Sequence, residues 1–230
     1  MRQKTSNLLL FLWCFAAFYG ISANAQNLPL PGELMTPSVV EINREPMRAH
    51  AFAYENQEKA SGFEMENSSR FLSLDGTWRF HFVTDPRTRP QDFYKTDFND
   101  RSSDWTDFKV PANWEVNGYA FPIYINQHYD FVGREKFGGT LIPPYDIPVD
   151  NNPVGSYRKE FELPADWDGK QIFIHLGAVK SAFYIWINGQ YVGYSEDSKL
   201  ASEFDITRYL KLGKNLIALQ VYRWSDASYL

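Results

Sequence analysis

The sequence predicts an all-β chain built as a β-sandwich, and three observations carry that prediction. Runs of alternating apolar and polar residues recur about every dozen residues in the second half of the chain, with the turn pairs Asp168-Gly169 and Leu212-Gly213 between them. The pair Asn188-Gly189 sits between two such runs and marks a tight hairpin, because both residues accept the positive φ of a type I′ turn. No helical crossover breaks the series.

Taken in order, residues 1–25 read as a secretory signal peptide. Arg2 and Lys4 precede an apolar run from Leu8 to Ile21, and Ala23-Asn24-Ala25 forms a small-x-small cleavage site before Gln26. The run is shorter than the roughly 20 apolar residues of a membrane span. Lipoprotein processing at Cys14 needs a small residue ahead of it, where Trp13 stands. Cleavage leaves 205 of the 230 residues and removes the only cysteine, so no disulfide is expected. The leader carries two basic residues and no acid, so its loss moves the formal charge from −5 to −7. A secreted or periplasmic chain with that balance and no Lys/Arg run has neither nucleic acid nor, after cleavage, a membrane as its expected partner.

Gln26 to Arg70 reads as an extended arm and not as a core segment, because Pro29, Pro31, Pro37 and Pro46 each remove a backbone donor and no apolar period survives them. Within it, Arg48 to Asn56 alternates Ala49, Ala51 and Ala53 with larger residues and is a candidate strand, expected to pack on the surface rather than against another subunit. Thr77 to Val83 is the first clear strand, with Trp78, Phe80 and Phe82 on one face and Arg79, His81 and Val83 on the other. His81 lacks the paired spacing of a metal site. Asp85 to Asp107 reads as a solvated loop, whose acids Asp97, Asp100, Asp104 and Asp107 do not follow the order of a calcium loop.

Val110 to Tyr129 is the stretch nearest to chemistry. It is rich in asparagine and aromatic residues, whose amides hydrogen-bond hydroxyls and whose rings cover the apolar faces of a pyranose. Phe131 to Asn152 is a long loop rich in glycine and proline, expected at the entrance to such a site, and its GREKFGG run lacks the order of a phosphate cradle. Strands resume at Gly155 to Leu163, Gln171 to Leu176, the hairpin through Phe183, Ile185, Ile187, Tyr191 and Val192, and Asn215 to Trp224. Tyr194 to Ser198 reads as a loop bonded to backbone groups, since no G-x-S-x-G elbow surrounds its serines.

Four motifs in order, NWEVNGYAFPIYIN, NPVGSYRKEF, SAFYIWINGQYVGYSEDSKLASEFDIT and GKNLIALQVYRWSDASYL, resemble the N-terminal domain of glycoside hydrolase family 2, the family of β-galactosidases and β-glucuronidases. The resemblance runs from Leu72 to Leu230 and implies a jelly-roll, galactose-binding-like domain over residues 71–230, after the arm at 26–70. In the β-galactosidases of the family the asparagine closing P-I-Y-x-N reaches out of this domain to the galactose. The matching residues are Pro122-Ile123-Tyr124-Ile125-Asn126, with Ile125 where threonine is common, so a substrate-binding role is carried over to Asn126 alone.

The family's two catalytic glutamates, about 5 Å apart in retaining enzymes, lie on a (β/α)8 barrel beyond this sequence. So does the acidic stretch after RWSDxSYL that supplies an active-site aspartate and a sodium ligand. The resemblance therefore implies no catalytic residue, metal ligand or cofactor in this chain, with sodium and magnesium left to the full-length enzyme. The implied partners are a β-galactoside or galactose, the missing catalytic barrel, and a second copy in a homo-oligomer. An ending at Leu230, inside a motif, is expected of a truncated product or fragment. A free-standing carbohydrate-binding or interaction module, or the same domain of a β-glucuronidase, is the alternative; RWSDASYL and PIYIN look like the galactosidase branch.

Overall fold

The computed structural model describes residues 28–122 and 147–229. Its strands are β1 (Glu41–Ile42), β2 (Gly76–Val83), β3 (Thr106–Val110), β4 (Val154–Leu163), β5 (Phe173–Leu176), β6 (Val179–Ile187), β7 (Gln190–Asp197), β8 (Ser202–Asp205) and β9 (Gly213–Tyr222). One sheet runs β1-β7-β6-β9-β4-β2-β3 and a second pairs β5 with β8. Every pairing among them is antiparallel. The chain crosses between the sheets at β5, returns for the β6–β7 hairpin, crosses again at β8 and comes back with β9 beside β6. That is the β-sandwich the sequence predicts, with jelly-roll weaving.

The hairpin forms for the reason read from its turn. Asn188 and Gly189 both take positive φ, 52° and 82°. The Asn188 side chain then donates to the Tyr209 carbonyl at 2.9 Å and accepts from the Leu216 N–H at 2.9 Å, which ties the turn to β9. Alternation places Phe183, Ile185 and Ile187 against Ile217, Leu219 and Val221 of β9, Trp78 and Phe80 of β2, and Ile174 and Phe204 of the second sheet. Each such side chain contributes about 1.5–3 kcal/mol on burial. The register slips by one residue where Trp186 pairs with Tyr191 and Ile185 with Gly193. This bulge turns Val192 into the core while Tyr191 stays beside Trp186.

The opposite face of the large sheet departs from expectation. Ala182, Tyr184, Tyr194 and Tyr222 are covered by Leu30 and Leu34 of the arm, and Leu34 is wholly buried. Further along, Phe93 and Trp105 pack with Ala218, so the stretch from Asp85 to Asp107 is a second-face cover and not only a solvated loop. The cause is the aromatic character of this face, which would leave a large apolar patch if it stayed wet. The arm also shields the sheet edge, with Ile42 opposite Tyr194. Gly193 is required there, because a Cβ would collide with the Ile42 carbonyl and the Phe204 ring.

Two local expectations are corrected. Residues 48–54 form no strand; Asn56 instead caps a short helix, α1 (Gln57–Ser61), by accepting from the Lys59 N–H at 2.9 Å. Strands β3 and β8 are additions to the predicted set. The signal peptide at 1–25 lies outside the described residues. Among those described, no helix is long and apolar enough to cross a membrane.

Candidate functional site

Asn126 lies outside the described residues, as does most of Phe131 to Asn152. The residues leading to Asn126 divide clearly into core and surface. Trp114 is buried, meets Phe82 edge to face at 5.3 Å, and donates its indole N–H to the Tyr157 hydroxyl. Tyr119 meets the Phe80 ring at 5.0 Å. The Asn117 amide donates to the Asn113 carbonyl at 2.8 Å across a 3-10 turn, Glu115–Asn117, that Gly118 closes with φ 86°. These aromatic and amide groups pack and bond within the fold. Phe121, at 62% exposure, marks the outer end of the described stem.

Both ends of the stretch that holds Asn126 meet the segment just after β9. The Arg223 guanidinium donates from Nη2 to the Phe121 carbonyl at 3.1 Å, and its Nη1 lies 3.5 Å from Glu115 Oε1. On the returning side, fully buried Asn152 donates to the Trp224 carbonyl at 2.8 Å and accepts from the Trp224 N–H at 2.9 Å.

Sequence reasoning missed a buried carboxylate pair. Glu196 stands on β7, which runs through Asp197, so Tyr194 to Ser198 is mostly strand and not the loop expected. Glu196 is 2% exposed and Asp226, in the 3-10 turn Asp226–Tyr229, is 7% exposed. Tyr194 donates its hydroxyl to Glu196 Oε2 at 2.7 Å, whereas Glu196 Oε1 and both Asp226 oxygens have no hydrogen-bond partner among the described residues. Burial pushes the Glu196 carboxyl up to about 8, with neighbouring Asp226 adding to the rise, and burial raises Asp226 as well. The two acids are 30 positions apart, so no local pattern announces them.

The stability consequence has a definite sign. A folded chain that keeps a proton on Glu196 binds more protons than the unfolded chain above the ordinary glutamate range near 4.3. Stability from this group is therefore present below about 4.3 and is lost as pH rises through about 8. Glu196→Gln should flatten the dependence and raise Tm by roughly 2–8 °C at pH 9, taking 2–4 °C per kcal/mol and a gain of one or two. Thermal melts from pH 5 to 9 in a chelating buffer check it; equal slopes for both proteins would refute a raised Glu196 carboxyl.

Other polar groups that could serve a ligand are engaged within the fold. A cavity of about 300 Å³ lies between the arm and the second sheet, lined by Glu45, Arg48, His50, His175 and Glu203 among others. There Glu203 accepts from Arg48 at 2.8 Å and pairs with His175 at 3.0 Å, so this part of the arm packs on its own chain. His81, expected on an open face, meets the Trp105 ring at 5.5 Å, and burial lowers its pKa. Of the four aspartates in the 97–107 stretch, Asp100 pairs with Arg158 and Asp107 with Arg79. Among the described residues no three His, Cys, Asp or Glu side chains converge to hold a metal.

The described residues form a woven antiparallel β-sandwich. The chain belongs to glycoside hydrolase family 2: the family described as "Glycosyl hydrolases family 2, sugar binding domain" matches residues 71–230. A β-galactosidase of Priestia megaterium is 40% identical over 194 residues, covering 84% of this chain and 18% of that protein. The β-galactosidase large subunit of Leuconostoc lactis is 37% identical over 206 residues, covering 84% of this chain and 31% of that one. The chain thus spans less than a third of the length of these relatives. A β-glucuronidase structure from Bifidobacterium dentium aligns over 65% of this chain and 19% of that one at 20% identity, with a TM-score of 0.44, too remote to carry an argument.

Proposed function

We propose that the chain is the N-terminal sugar-binding domain of a β-galactosidase that releases terminal non-reducing β-D-galactose from β-galactosides. The observation that carries this reading is 40% identity to a β-galactosidase over 84% of the chain. In it the domain supplies Asn126 to the galactose, and a catalytic barrel supplies the nucleophile and the acid/base. Sodium and magnesium belong to the whole enzyme, which is exported to the periplasm or medium and assembles as a homo-oligomer. Among the described carboxylates, Glu196 and Asp226 are buried, and Asp100 and Asp107 are held in ion pairs with Arg158 and Arg79.

The experiment has two arms. The purified 230-residue chain is expected to release no nitrophenol from nitrophenyl β-galactoside, because in this reading the acid and the nucleophile belong to the barrel. It should bind galactose with a Kd of about 1 mM or weaker, since one or two solvent-exposed hydrogen bonds at about 0.5–1.5 kcal/mol each barely offset the cost of association. The enzyme that carries the domain should hydrolyse the β-galactoside and not the β-glucuronide. Turnover by the chain alone, or glucuronide preference in the enzyme, overturns the reading.

A further inference from the structure

The sequence holds two Asn-Gly pairs, Asn117-Gly118 and Asn188-Gly189, each preceded by a β-branched residue, Val116 and Ile187. Asparagine before glycine is the pairing most open to spontaneous deamidation, because no side chain on the second residue shields its backbone nitrogen. That nitrogen gives its proton to solvent hydroxide and bonds to the asparagine Cγ; the Cγ–Nδ2 bond breaks, and the nitrogen leaves as ammonia, taking a proton from water. Water then opens the cyclic imide on one side or the other and leaves aspartate or isoaspartate. Nothing is oxidised or reduced, and water is the one co-reactant consumed.

The two pairs share this chemistry and differ in what the fold does to them. Asn117 is exposed at the end of its 3-10 turn, where its amide donates to the Asn113 carbonyl of the same turn at 2.8 Å. A side chain built on Gly118 would meet open space among the described residues. Asn188, in contrast, is held at both atoms of its amide. Its Nδ2 donates to the Tyr209 carbonyl at 2.9 Å and to Asn215 Oδ1 at 2.8 Å, and its Oδ1 accepts from the Leu216 N–H at 2.9 Å. Its backbone N–H donates to the Leu216 carbonyl at 2.8 Å, and the Tyr94 carbonyl and Lys95 Cα lie 3.8 Å from where a Cβ on Gly189 would stand. Bond formation draws Cγ to the Gly189 nitrogen and so pulls the amide off three partners at once. The reaction therefore waits until the hairpin parts from β9.

Once formed, either product conflicts with the native turn. An aspartate oxygen in place of Nδ2 faces the Tyr209 carbonyl and Asn215 Oδ1, which are both acceptors. Asn215 cannot turn to offer its own N–H, because its Nδ2 already donates to the carbonyls of Lys211 at 2.7 Å and Gly213 at 2.9 Å. Isoaspartate adds a methylene to the backbone of a two-residue turn, whose length sets the register of the strands it joins. We infer that Asn117 and Asn188 are modification sites of opposite access: Asn117 deamidates in the folded chain, whereas Asn188 deamidates only in chains whose hairpin has opened, and its conversion hinders them from closing again.

The test incubates the 230-residue chain at mildly alkaline pH in buffer and in guanidinium chloride, and follows the peptide carrying each pair by mass spectrometry, which tells amide from carboxyl. In buffer, conversion at Asn117 is expected to outpace conversion at Asn188 by more than about 100-fold, since core strands open far more rarely than surface turns. In guanidinium chloride the two rates should converge, because the local sequences are alike. Comparable rates in buffer, an intact Asn117 there, or an intact Asn188 in denaturant each overturn the inference. Asn188→Asp and Asn117→Asp, made directly, test the closing step. The first is expected to melt roughly 4–12 °C below the second, because two acceptors are left facing an oxygen. Equal melting temperatures overturn that step; an Asn188→Asp chain that does not fold beside an Asn117→Asp chain that does supports it.

Discussion

Arg158→Ala should lower the unfolding free energy of the chain by about 3 kcal/mol, at the lower end of the range for removing one partner of a buried ion pair. Arg158 stands on β4 at 5% exposure, pointing to the second face of the large sheet. Its Nε donates to Asp100 at 2.9 Å, its Nη1 to the carbonyls of Lys95 at 2.9 Å and of Phe93, and its guanidinium lies 5.4 Å from the Phe98 ring. One side chain thus holds the polypeptide that seats Phe93 and Trp105 on the sheet. Removing it leaves the buried Phe93 carbonyl and its neighbours without donors, while the Asp100 side chain, 22% exposed, recovers some hydration. Asp100→Asn should accordingly cost less, about 1 kcal/mol. Urea unfolding followed by tryptophan fluorescence measures both. A loss under 1 kcal/mol for Arg158→Ala would mean that Phe93 and Trp105 hold the cover by apolar burial alone.

What the sequence could and could not disclose follows from the range of each interaction. The Asn188-Gly189 turn and the alternation Trp78, Phe80, Phe82 are encoded within a few residues, and both appear as read. β3 carries only Phe108 as a core residue in a five-residue run, too short for period two to rise above chance. The second-face cover is invisible for a different reason. Its anchors, Leu34, Phe93 and Trp105, sit singly in polar, proline-punctuated stretches, and what buries them is a sheet face assembled from β6, β7 and β9. Arg158 likewise reads as one more polar residue of an alternating strand until the loop arrives over it. The Glu196–Asp226 pair joins two segments that are not sequence neighbours, and the role of Asn126 comes from a family motif and not from composition. Local pattern therefore discloses the strands, and it leaves undisclosed whatever covers them.

In the enzyme that carries this domain, Asn126→Ala should lower kcat/KM for a β-galactoside by roughly one to three orders of magnitude, about 1.4–4 kcal/mol of transition-state stabilisation. The size follows from the setting of the bond. An amide on the isolated domain exchanges a water bond for a sugar bond and gains little, whereas in a closed pocket its loss leaves the sugar hydroxyl without a partner and without water to replace it. Stability should be spared, because Trp114, Tyr119 and Tyr157 already belong to the core described around β2 and β4. The two quantities separate the competing accounts. Activity lost at unchanged Tm places Asn126 on the substrate; activity that falls only as far as Tm falls makes it a scaffold amide. Kinetics unchanged from wild type would remove the domain from substrate recognition altogether and leave it to support the barrel from outside.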